Sequence, residues 1–316
     1  MKILVIQTRR LGDVLMITPM LRAIARALPG AETHVCVEAS SAAPVRGNPH
    51  ASQVVIAESR VPVRLVGMLR RERYDVVIDG RGTPGSARLA FLTGAKMRVG
   101  CDRVWRRLFY THRVPPSAGP RYSALGKLAL LGPLGIESSD CRIELFPSDD
   151  DRREAERRWR SLGLPDRARV VAFSPVSRRR WKRWPAERFA EVCDRWAERA
   201  GVVFLPVFGP GEEPMVERVI ARLRNRSIVA NPGSPVSFGA LAPLMARCAF
   251  YFGNDNGVRH AAIAAGIPTA AVFGPPNPES WTPPGSMRDF YAGGNCDIDT
   301  VLVGDVDGLL PRVIDL

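Results

Sequence analysis

One short segment of the sequence, Asp255-Asn256-Gly257-Val-Arg-His260, combines residue types that could bind a phosphate. It stands between an apolar, strand-like run and a small-residue run that ends at Gly266-Ile-Pro268, and it predicts a helix that begins near Asn256. A helix N-terminus has unpaired N–H groups and a partial positive charge, which suit a phosphate. His260 could add a donor, and Asp255 could cap the helix or hold a ligand hydroxyl. The alternative is an ordinary capped helix with a half-buried histidine.

A second candidate follows the first predicted strand, at Gly12-Asp13. Gly12 permits a tight turn, and Asp13 would lie at the beginning of the first helix. The functional interpretation makes Asp13 a general base that removes the proton of an acceptor hydroxyl. The structural interpretation, which the segment alone favours, is a carboxylate stabilised by the positive end of the helix. That stabilisation weakens a base, and burial in a closed cleft would offset the weakening.

The loop from Ser177 to Trp184 is rich in basic residues, which are Arg178, Arg179, Arg180, Lys182 and Arg183. They indicate a phosphate site or, about equally, a solvated basic loop. Only four of the 45 basic residues of the chain are lysines. A lysine among these arginines therefore favours a point-charge role for Lys182.

Three weaker patterns have mainly structural interpretations. The run Gly80-Arg81-Gly82-Thr-Pro-Gly85 formally matches the dinucleotide motif G-x-G-x-x-G, but it follows the fourth predicted strand and contains a proline. We expect it to be a flexible loop that contacts an acceptor. Glu212 is expected to cap the next helix or, as the alternative, to bond ribose hydroxyls. The D-x-D pairs near residues 149, 297 and 305 are expected to be solvated turns, so no metal site and no cofactor is predicted.

Strand-like and helix-like patterns alternate along the chain and restart near residue 168, which is typical of parallel sheets covered by helices. The sequence therefore predicts an α/β protein with two Rossmann-like, doubly wound domains, 1–150 and 151–304, that face each other across a cleft. The helix 305–314 is a candidate to pack back onto the first domain. Predicted strands cover Lys2–Gln7, Thr33–Val37, Gln53–Ile56, Asp75–Ile78, Arg98–Val99, Val170–Phe173, Val202–Pro206, Ser227–Val229, Phe250–Phe252 and Thr269–Phe273. Predicted helices cover Val14–Ala27, Pro62–Glu72, Gly85–Leu92, Arg152–Leu162, Pro185–Arg199, Pro214–Arg224, Phe238–Arg247 and Gly257–Ala265.

Composition narrows the class of protein and the class of partner. The 316 residues are 46% hydrophobic and 24% charged, and no apolar run approaches the roughly 18 residues of a membrane span. The six cysteines lack metal-binding spacing, so reduced thiols in a cytoplasmic protein are expected. The net charge of +13 predicts an anionic partner, such as a phosphate or an acidic lipid surface. Nucleic acid is not expected, because the basic residues are spread along the chain.

Together, the order and spacing of four motifs resemble one family over nearly the whole chain. The motifs are Gly12-Asp13 with Pro19, Lys182-x-Trp184-Pro185, Asp255-x-Gly257-x-x-His260 and Phe273-Gly274-Pro275. The family is that of the ADP-heptose:lipopolysaccharide heptosyltransferases, glycosyltransferase family 9. The resemblance implies an inverting, metal-independent glycosyltransferase of GT-B fold that moves a sugar, with heptose from ADP-heptose as the leading expectation, to a lipopolysaccharide core or related glycan.

The resemblance also implies roles for individual residues. The implied catalytic residues are Asp13, as the base, and Lys182. The implied donor contacts are Ser177, Lys182, Glu212, Asp255, Asn256, Gly257 and His260. The first domain would bind a glycan or phosphorylated glycolipid acceptor, with Arg9, Arg10, Gly12 and Arg81 as candidate contacts. Peripheral contact with the anionic inner face of a membrane would fit the positive charge.

Four positions depart from the family pattern. Asn256 stands where threonine or serine is usual, Arg259 where a small or apolar residue is usual, and Pro276-Asn277 replaces the commoner Thr-Asp. Because of these departures, the resemblance does not determine the nucleobase or the sugar of the donor. The alternatives to a transferase are a GT-B-like sugar-nucleotide epimerase or hydrolase, and a catalytically inactive member that only binds a nucleotide sugar.

Overall fold

Short runs of valine, isoleucine and leucine form buried parallel strands in both halves of the chain, as their lack of polar residues predicts. A computed structural model describes residues 1–57, 63–103, 108–119, 121–165, 167–230 and 233–314. The chain divides into two units, unit 1 from Met1 to Phe146 and unit 2 from Pro147 to Leu316. This boundary lies four residues before the predicted end of the first domain at residue 150.

The described strands of unit 1 form a sheet in the order β3-β2-β1-β4-β5-β6, with all neighbours parallel. Their bounds are β1 Lys2–Ile6, β2 Glu32–Glu38, β3 Gln53–Ala57, β4 Val76–Asp79, β5 Met97–Cys101 and β6 His112–Val114. The strand order reverses between β1 and β4, where Ile6 pairs with Asp79. Loops that leave the carboxyl ends of two such strands diverge, and the crevice between them is the usual ligand site of an open α/β sheet.

The described strands of unit 2 form a second parallel sheet in the order β11-β10-β9-β7-β8. Their bounds are β7 Arg169–Ser174, β8 Val202–Pro206, β9 Phe250–Asn254, β10 Thr269–Phe273 and β11 Asp289–Gly293. The order reverses between β7 and β9, where Ser174 pairs with Gly253. The strands are unusually close here, since a Cβ on Gly253 would lie 2.2 Å from the Ser174 carbonyl oxygen. Only glycine fits at that position.

Helices cover the sheets and complete the cores. The helices are α1 Leu11–Leu15, α2 Thr18–Ala27, α3 Val63–Arg71, α4 Pro84–Leu92, α5 Ser123–Leu128, α6 Asp149–Ser161, α7 Ala186–Ala200, α8 Glu213–Ile220, α9 Phe238–Met245, α10 Gly257–Ala265, α11 Val303–Asp307 and α12 Leu310–Ile314. In unit 1, Ile3 and Val5 of β1 face the apolar side of α2, and Leu4 and Ile6 face the opposite core. This alternation along one strand buries both faces of the sheet.

Aromatic rings fill the core of unit 2. Phe173 of β7 lies 5.6 Å, centroid to centroid, from both Phe189 and Phe204, and Trp196 of α7 lies 4.4 Å from Phe252. The apolar residues of the C-terminal segment 305–314, the candidate to pack back onto the first domain, belong to this same core. The Trp196 indole also donates a hydrogen bond to Asp307 at 3.0 Å, which ties α11 to α7.

The structure differs from the sequence-based prediction at several elements. The segment Ser227–Val229, predicted to be a strand, is mostly a 3-10 turn, and only Val229 makes a parallel bridge, to Phe204. The Asn225 side chain accepts the Ser227 N–H, and such local bonds compete with strand pairing. The predicted helix Val14–Ala27 is two helices, α1 and α2. The short strands β6 and β11 were not predicted, and Pro62, the predicted start of α3, lies outside the described residues.

Among the residues described, no helix is long and apolar enough to cross a membrane.

Candidate functional site

Two asparagines join the carboxyl ends of β7 and β9 in unit 2. The Asn254 amide accepts the Trp184 N–H at 3.2 Å and donates to the Pro175 carbonyl at 2.8 Å. The Asn256 amide donates to the Val176 carbonyl at 2.9 Å and the Ser174 hydroxyl at 3.1 Å. Backbone groups of the basic loop that have no strand partner are thereby satisfied by side chains from the neighbouring strand. The loop that carries Lys182 is held against the turn that carries Asp255.

Asn256 is also the cap of helix α10. Its side-chain oxygen accepts the Arg259 N–H at 3.0 Å, the bond expected of an N-cap residue. The prediction that a helix begins at Gly257 and ends at Ala265 is confirmed, and the cap is Asn256 rather than Asp255. Because the cap uses one N–H of the first turn, the other N-terminal N–H groups remain available to an anion.

Lys182 and Asp255, two of the predicted donor contacts, form an ion pair. The Lys182 ammonium lies 2.5 Å from Asp255 Oδ2, and the two side chains are 19% and 4% exposed. The same ammonium lies 5.8 Å from the ring centroid of Trp181 and 5.7 Å from that of Trp281, within the range of a cation–π contact. A lysine in this position can reach a ligand only if the ligand shares it with Asp255 or replaces Asp255 as its partner.

His260 is buried beside this pair and is uncharged at neutral pH. Burial lowers its pKa to about 4, Asp255 opposes that shift, and the positive charges of Arg259 and Lys182 reinforce it. Among the residues described, no group forms a hydrogen bond with His260 Nδ1. His260 can therefore offer a ligand a neutral donor or acceptor, whereas the positive charge comes from Lys182.

The other predicted donor contacts have mainly local partners. The buried Ser177 accepts the Arg179 N–H at 3.4 Å, and its carbonyl accepts the Arg183 guanidinium at 2.5 Å. Glu212 precedes helix α8, but its carboxylate accepts the Gly209 N–H at 2.9 Å and makes no capping bond to the helix. The expectation that the Glu212 side chain caps the helix is therefore wrong, since it closes the preceding turn.

In unit 1, Asp13 lies in the first turn of α1 and faces Arg81 from the loop after β4. The Arg81 Nη1 atom lies 3.6 Å from Asp13 Oδ2, at an ion-pair distance. Arg9 and Arg10, in the loop before α1, have φ angles of 70° and 60°. Non-glycine residues in this region each cost on the order of 1–3 kcal/mol, and such strain clusters at functional sites. The buried Gly12 and the exposed Arg9 and Arg10 are thus placed beside Asp13.

The formal dinucleotide pattern after β4 is a structured turn held by Asp79. The buried Asp79 carboxylate accepts the N–H groups of Arg81 and Gly82 at 3.0 and 2.8 Å and the Tyr110 hydroxyl at 2.6 Å. Burial raises the pKa of Asp79, and these hydrogen bonds oppose the rise. The N–H groups that would bind a pyrophosphate are occupied, and the Asp79 carboxylate also joins this turn to Tyr110, which lies between β5 and β6. Gly100 of β5 makes room for the Tyr110 ring, which would lie 2.3 Å from a Cβ.

A cavity of about 600 Å³ lies within unit 1, between this turn and the segment from Val114 to Leu130. Its described basic lining residues are Arg81, Arg103, Arg121 and Lys127, and Asp79 is the acid among the lining residues described. Lys127 donates a hydrogen bond to the Gly80 carbonyl. Burial lowers its pKa, and the negative charges of Asp13 and Asp79 oppose that shift. The cavity is suited to an anionic group near Asp13.

The residues predicted from the sequence for the candidate site did not include Lys127, Arg103 and Arg121, which line the cavity. The signal for Lys127 was present, because it is one of the four lysines in an arginine-rich chain. The structure thus brings Asp13, Arg81 and Lys127 together in unit 1, and Lys182, Asp255 and His260 together in unit 2. Within the described part of the chain, no three His, Cys, Asp or Glu side chains come together as a metal site would require.

The buried state of His260 predicts a specific titration. In a ¹H–¹⁵N NMR titration, the His260 ring should stay neutral from pH 8 down to about pH 5. Because its folded-state pKa lies below the unfolded value, the unfolded chain binds more protons between pH 6.5 and 4. His260 should therefore cost up to about 3 kcal/mol of unfolding free energy as the pH falls through that range. The His260→Gln variant identifies the resonance, and a midpoint near pH 6.5 would contradict the buried geometry.

Comparison with known proteins identifies the family. A model of the family described as Glycosyltransferase family 9 (heptosyltransferase) matches residues 63–292, more than two-thirds of the chain. The chain is 28% identical over 303 residues to lipopolysaccharide heptosyltransferase 1 of Pseudomonas aeruginosa, with 88% of this chain and 80% of the relative covered.

Solved structures show the same fold. The glycosyl transferase family 9 protein of Veillonella parvula superposes with a TM-score of 0.80 and 26% identity over 92% of this chain and 85% of that protein. The Escherichia coli heptosyltransferase WaaC with ADP-2-deoxy-2-fluoro heptose superposes with a TM-score of 0.75 and 21% identity over 99% of both chains. The chain therefore belongs to glycosyltransferase family 9, has the GT-B fold and is a glycosyltransferase.

Proposed function

We propose that this glycosyltransferase moves heptose from ADP-heptose to a hydroxyl of a lipopolysaccharide core, with inversion at the anomeric carbon and without a metal ion. The observation that best supports this proposal is the Lys182–Asp255 pair at the start of helix α10. Lys182 offers a cation to a diphosphate, and the first turn of α10 offers N–H groups. The sugar and the acceptor are supported by the P. aeruginosa relative, which is a lipopolysaccharide heptosyltransferase. The donor is supported by the E. coli enzyme WaaC, whose structure was solved with ADP-2-deoxy-2-fluoro heptose, an analogue of ADP-heptose.

Unit 2 would bind the donor and stabilise its leaving group. As the bond between the anomeric carbon and the phosphate oxygen breaks, negative charge grows on the departing nucleoside diphosphate. The Lys182 ammonium and the N–H groups of α10 are positive groups that can stabilise this charge in place of a metal ion. Asp255 would accept a hydrogen bond from a sugar hydroxyl, and the neutral His260 could bond to a hydroxyl or donate to a phosphate oxygen.

Unit 1 would supply the base and bind the acceptor. Asp13 takes the proton of the acceptor hydroxyl while that oxygen attacks the anomeric carbon from the face opposite the diphosphate, which inverts the configuration. Arg81 lies at ion-pair distance from Asp13 and would hold the carboxylate in place for the acceptor hydroxyl. The basic cavity lined by Arg81, Arg103, Arg121 and Lys127 would bind an anionic group of the acceptor. With a net charge of +13, the protein would act at the cytoplasmic face of an anionic membrane.

Removal of the proposed base should abolish transfer and spare donor binding. The Asp13→Asn variant is expected to lower kcat by about 10³-fold, because the acceptor hydroxyl loses its proton acceptor. The dissociation constant for ADP, measured by calorimetry, should stay within about threefold of wild type, because Asp13 belongs to the other unit. Glu137→Gln, at an exposed carboxylate of the same unit, is the matched control. Unchanged transfer would rule out Asp13 as the base, and donor turnover by the wild type without an acceptor would favour an epimerase or hydrolase.

Loss of the Lys182 ammonium should weaken nucleotide binding. The Lys182→Ala variant is expected to raise the dissociation constant for ADP by about 10- to 100-fold, as loss of one charge-assisted phosphate contact predicts. The exposed Lys96→Ala is the control for removing a lysine elsewhere. Calorimetry of the wild type with ADP, UDP, GDP and dTDP tests which nucleobase the donor carries. Tighter binding of a nucleotide other than ADP would refute ADP-heptose as the donor. Equal ADP affinity in Lys182→Ala and wild type would refute the role of Lys182.

Loss of the Lys127 ammonium should weaken acceptor binding alone. The Lys127→Met variant keeps much of the apolar stem, so its expected effect is a KM for the core acceptor raised about tenfold, with ADP affinity unchanged. Lys96→Met is the matched control on the surface of the same unit. If the acceptor KM does not change, the cavity does not hold the anionic group of the acceptor.

A further inference from the structure

Arg259, one of the departures from the family pattern, is a fully buried cation in helix α10. Its guanidinium donates to the Trp281 carbonyl and to the Thr282 hydroxyl, both at 3.0 Å. It also lies over the Phe273 ring, 5.1 Å from the centroid. A buried guanidinium needs a negative partner as well as hydrogen bonds, because desolvation of a charge is costly. The negative group beside it is Asp255.

Asp255 is placed between two cations. Its Oδ2 atom contacts the Lys182 ammonium at 2.5 Å, and its Oδ1 atom lies 3.9 Å from Arg259 Nη1. That second distance is too long for a hydrogen bond. Among the residues described, both Asp255 Oδ1 and Arg259 Nε are buried without a hydrogen-bond partner. Asp255 can therefore accept a further hydrogen bond, and Arg259 can donate one.

We propose that Arg259 is a positioning residue of the donor site, which acts as the permanent counter-ion of Asp255 and so allows Lys182 to turn from Asp255 to the donor diphosphate. The inference rests on the proposed function, in which Lys182 binds that diphosphate. If Lys182 left an Asp255 that had no other cation, the carboxylate would remain buried and uncompensated, which is strongly unfavourable. With Arg259 present, Asp255 keeps a positive partner, and Oδ1 can close on the guanidinium.

Arg259 could instead affect the donor site by anchoring the loop that contains Trp281 and Thr282. Arg259 fixes the Trp281-Thr282 backbone, and the Trp281 ring lies against both Lys182 and His260, at 5.7 and 5.8 Å. If Arg259 only anchored this loop, its loss would disturb the wall of the site whatever the charge of Asp255. If it acts as a counter-ion, its loss should matter only while Asp255 carries a charge. A double-mutant cycle separates the two cases.

The cycle measures ADP affinity by calorimetry in wild type, Arg259→Met, Asp255→Asn and the double variant. Arg259→Met should weaken ADP binding about tenfold or more, because Lys182 becomes the sole partner of the buried carboxylate. In the Asp255→Asn background the same substitution should change the affinity by less than about threefold. An equal loss in both backgrounds, or no loss in either, would overturn the proposal.

Arg259→Lys is the conservative variant and guards against misfolding of the others. It keeps the charge but cannot make both loop bonds of the planar guanidinium. A counter-ion role predicts ADP affinity within about threefold of wild type, and a loop-anchoring role predicts a loss as large as that of Arg259→Met. The Lys182→Ala variant separates a failure of the proposed function from a failure of the counter-ion role of Arg259. If Lys182→Ala leaves ADP binding unaltered, the proposed function fails and this inference with it. If Lys182→Ala weakens binding and the cycle shows no coupling, only the inference fails.

Discussion

The arrangement of charged side chains in unit 2 depends on the bonds by which two asparagine amides close the gap between β7 and β9. Where parallel strands end and their loops diverge, backbone N–H and C=O groups lose their ladder partners. Asn254 and Asn256 replace those partners with both ends of their amides, and they bond to Trp184, Pro175, Val176 and Ser174. The glycine next to Asn254 lets the strands approach closely enough for these bonds. Neutral amides therefore hold the backbone of the loop that carries Lys182 near Asp255, as well as the ion pair does.

Each unit has a buried carboxylate where its strand order reverses, Asp79 in unit 1 and Asp255 in unit 2. Asp79 has neutral hydrogen-bond partners, whereas Asp255 has charged ones. Asp79 accepts bonds from two backbone N–H groups and a phenol, and burial raises its pKa. Such neutral partners cannot move to a ligand, so Asp79 fixes the shape of a turn. Asp255 lies instead beside two side-chain cations, Lys182 and Arg259. A side-chain cation can exchange a carboxylate for a phosphate, and so Asp255 suits a site whose charge distribution changes on binding.

The sequence predicted the fold, because the strands and helices follow from local signals. Apolar runs and glycine or proline stops located the strands, and residues after those strands had to meet at the carboxyl edge of a parallel sheet. Asp13, Lys182 and Asp255 were predicted as site residues in this way, and the structure has each of them after a strand. Long-range partners were not predictable. The Asp79 bond to Tyr110 spans 31 positions in the chain, and no local pattern indicated it. Likewise, the side chain of Asn225 removed a predicted strand by bonding to a backbone group nearby.

The choice between lysine and arginine carries information in this chain. With lysine at only four of 45 basic positions, two of the four, Lys127 and Lys182, lie at the candidate acceptor and donor sites. Arginine holds two partners in a fixed plane, as Arg259 does with Trp281 and Thr282. Lysine is a compact charge on a flexible stem, and it can change partners without breaking a bidentate geometry. Arginine therefore stands where a loop and a buried charge are held in place, and lysine stands at the two candidate sites for anionic groups.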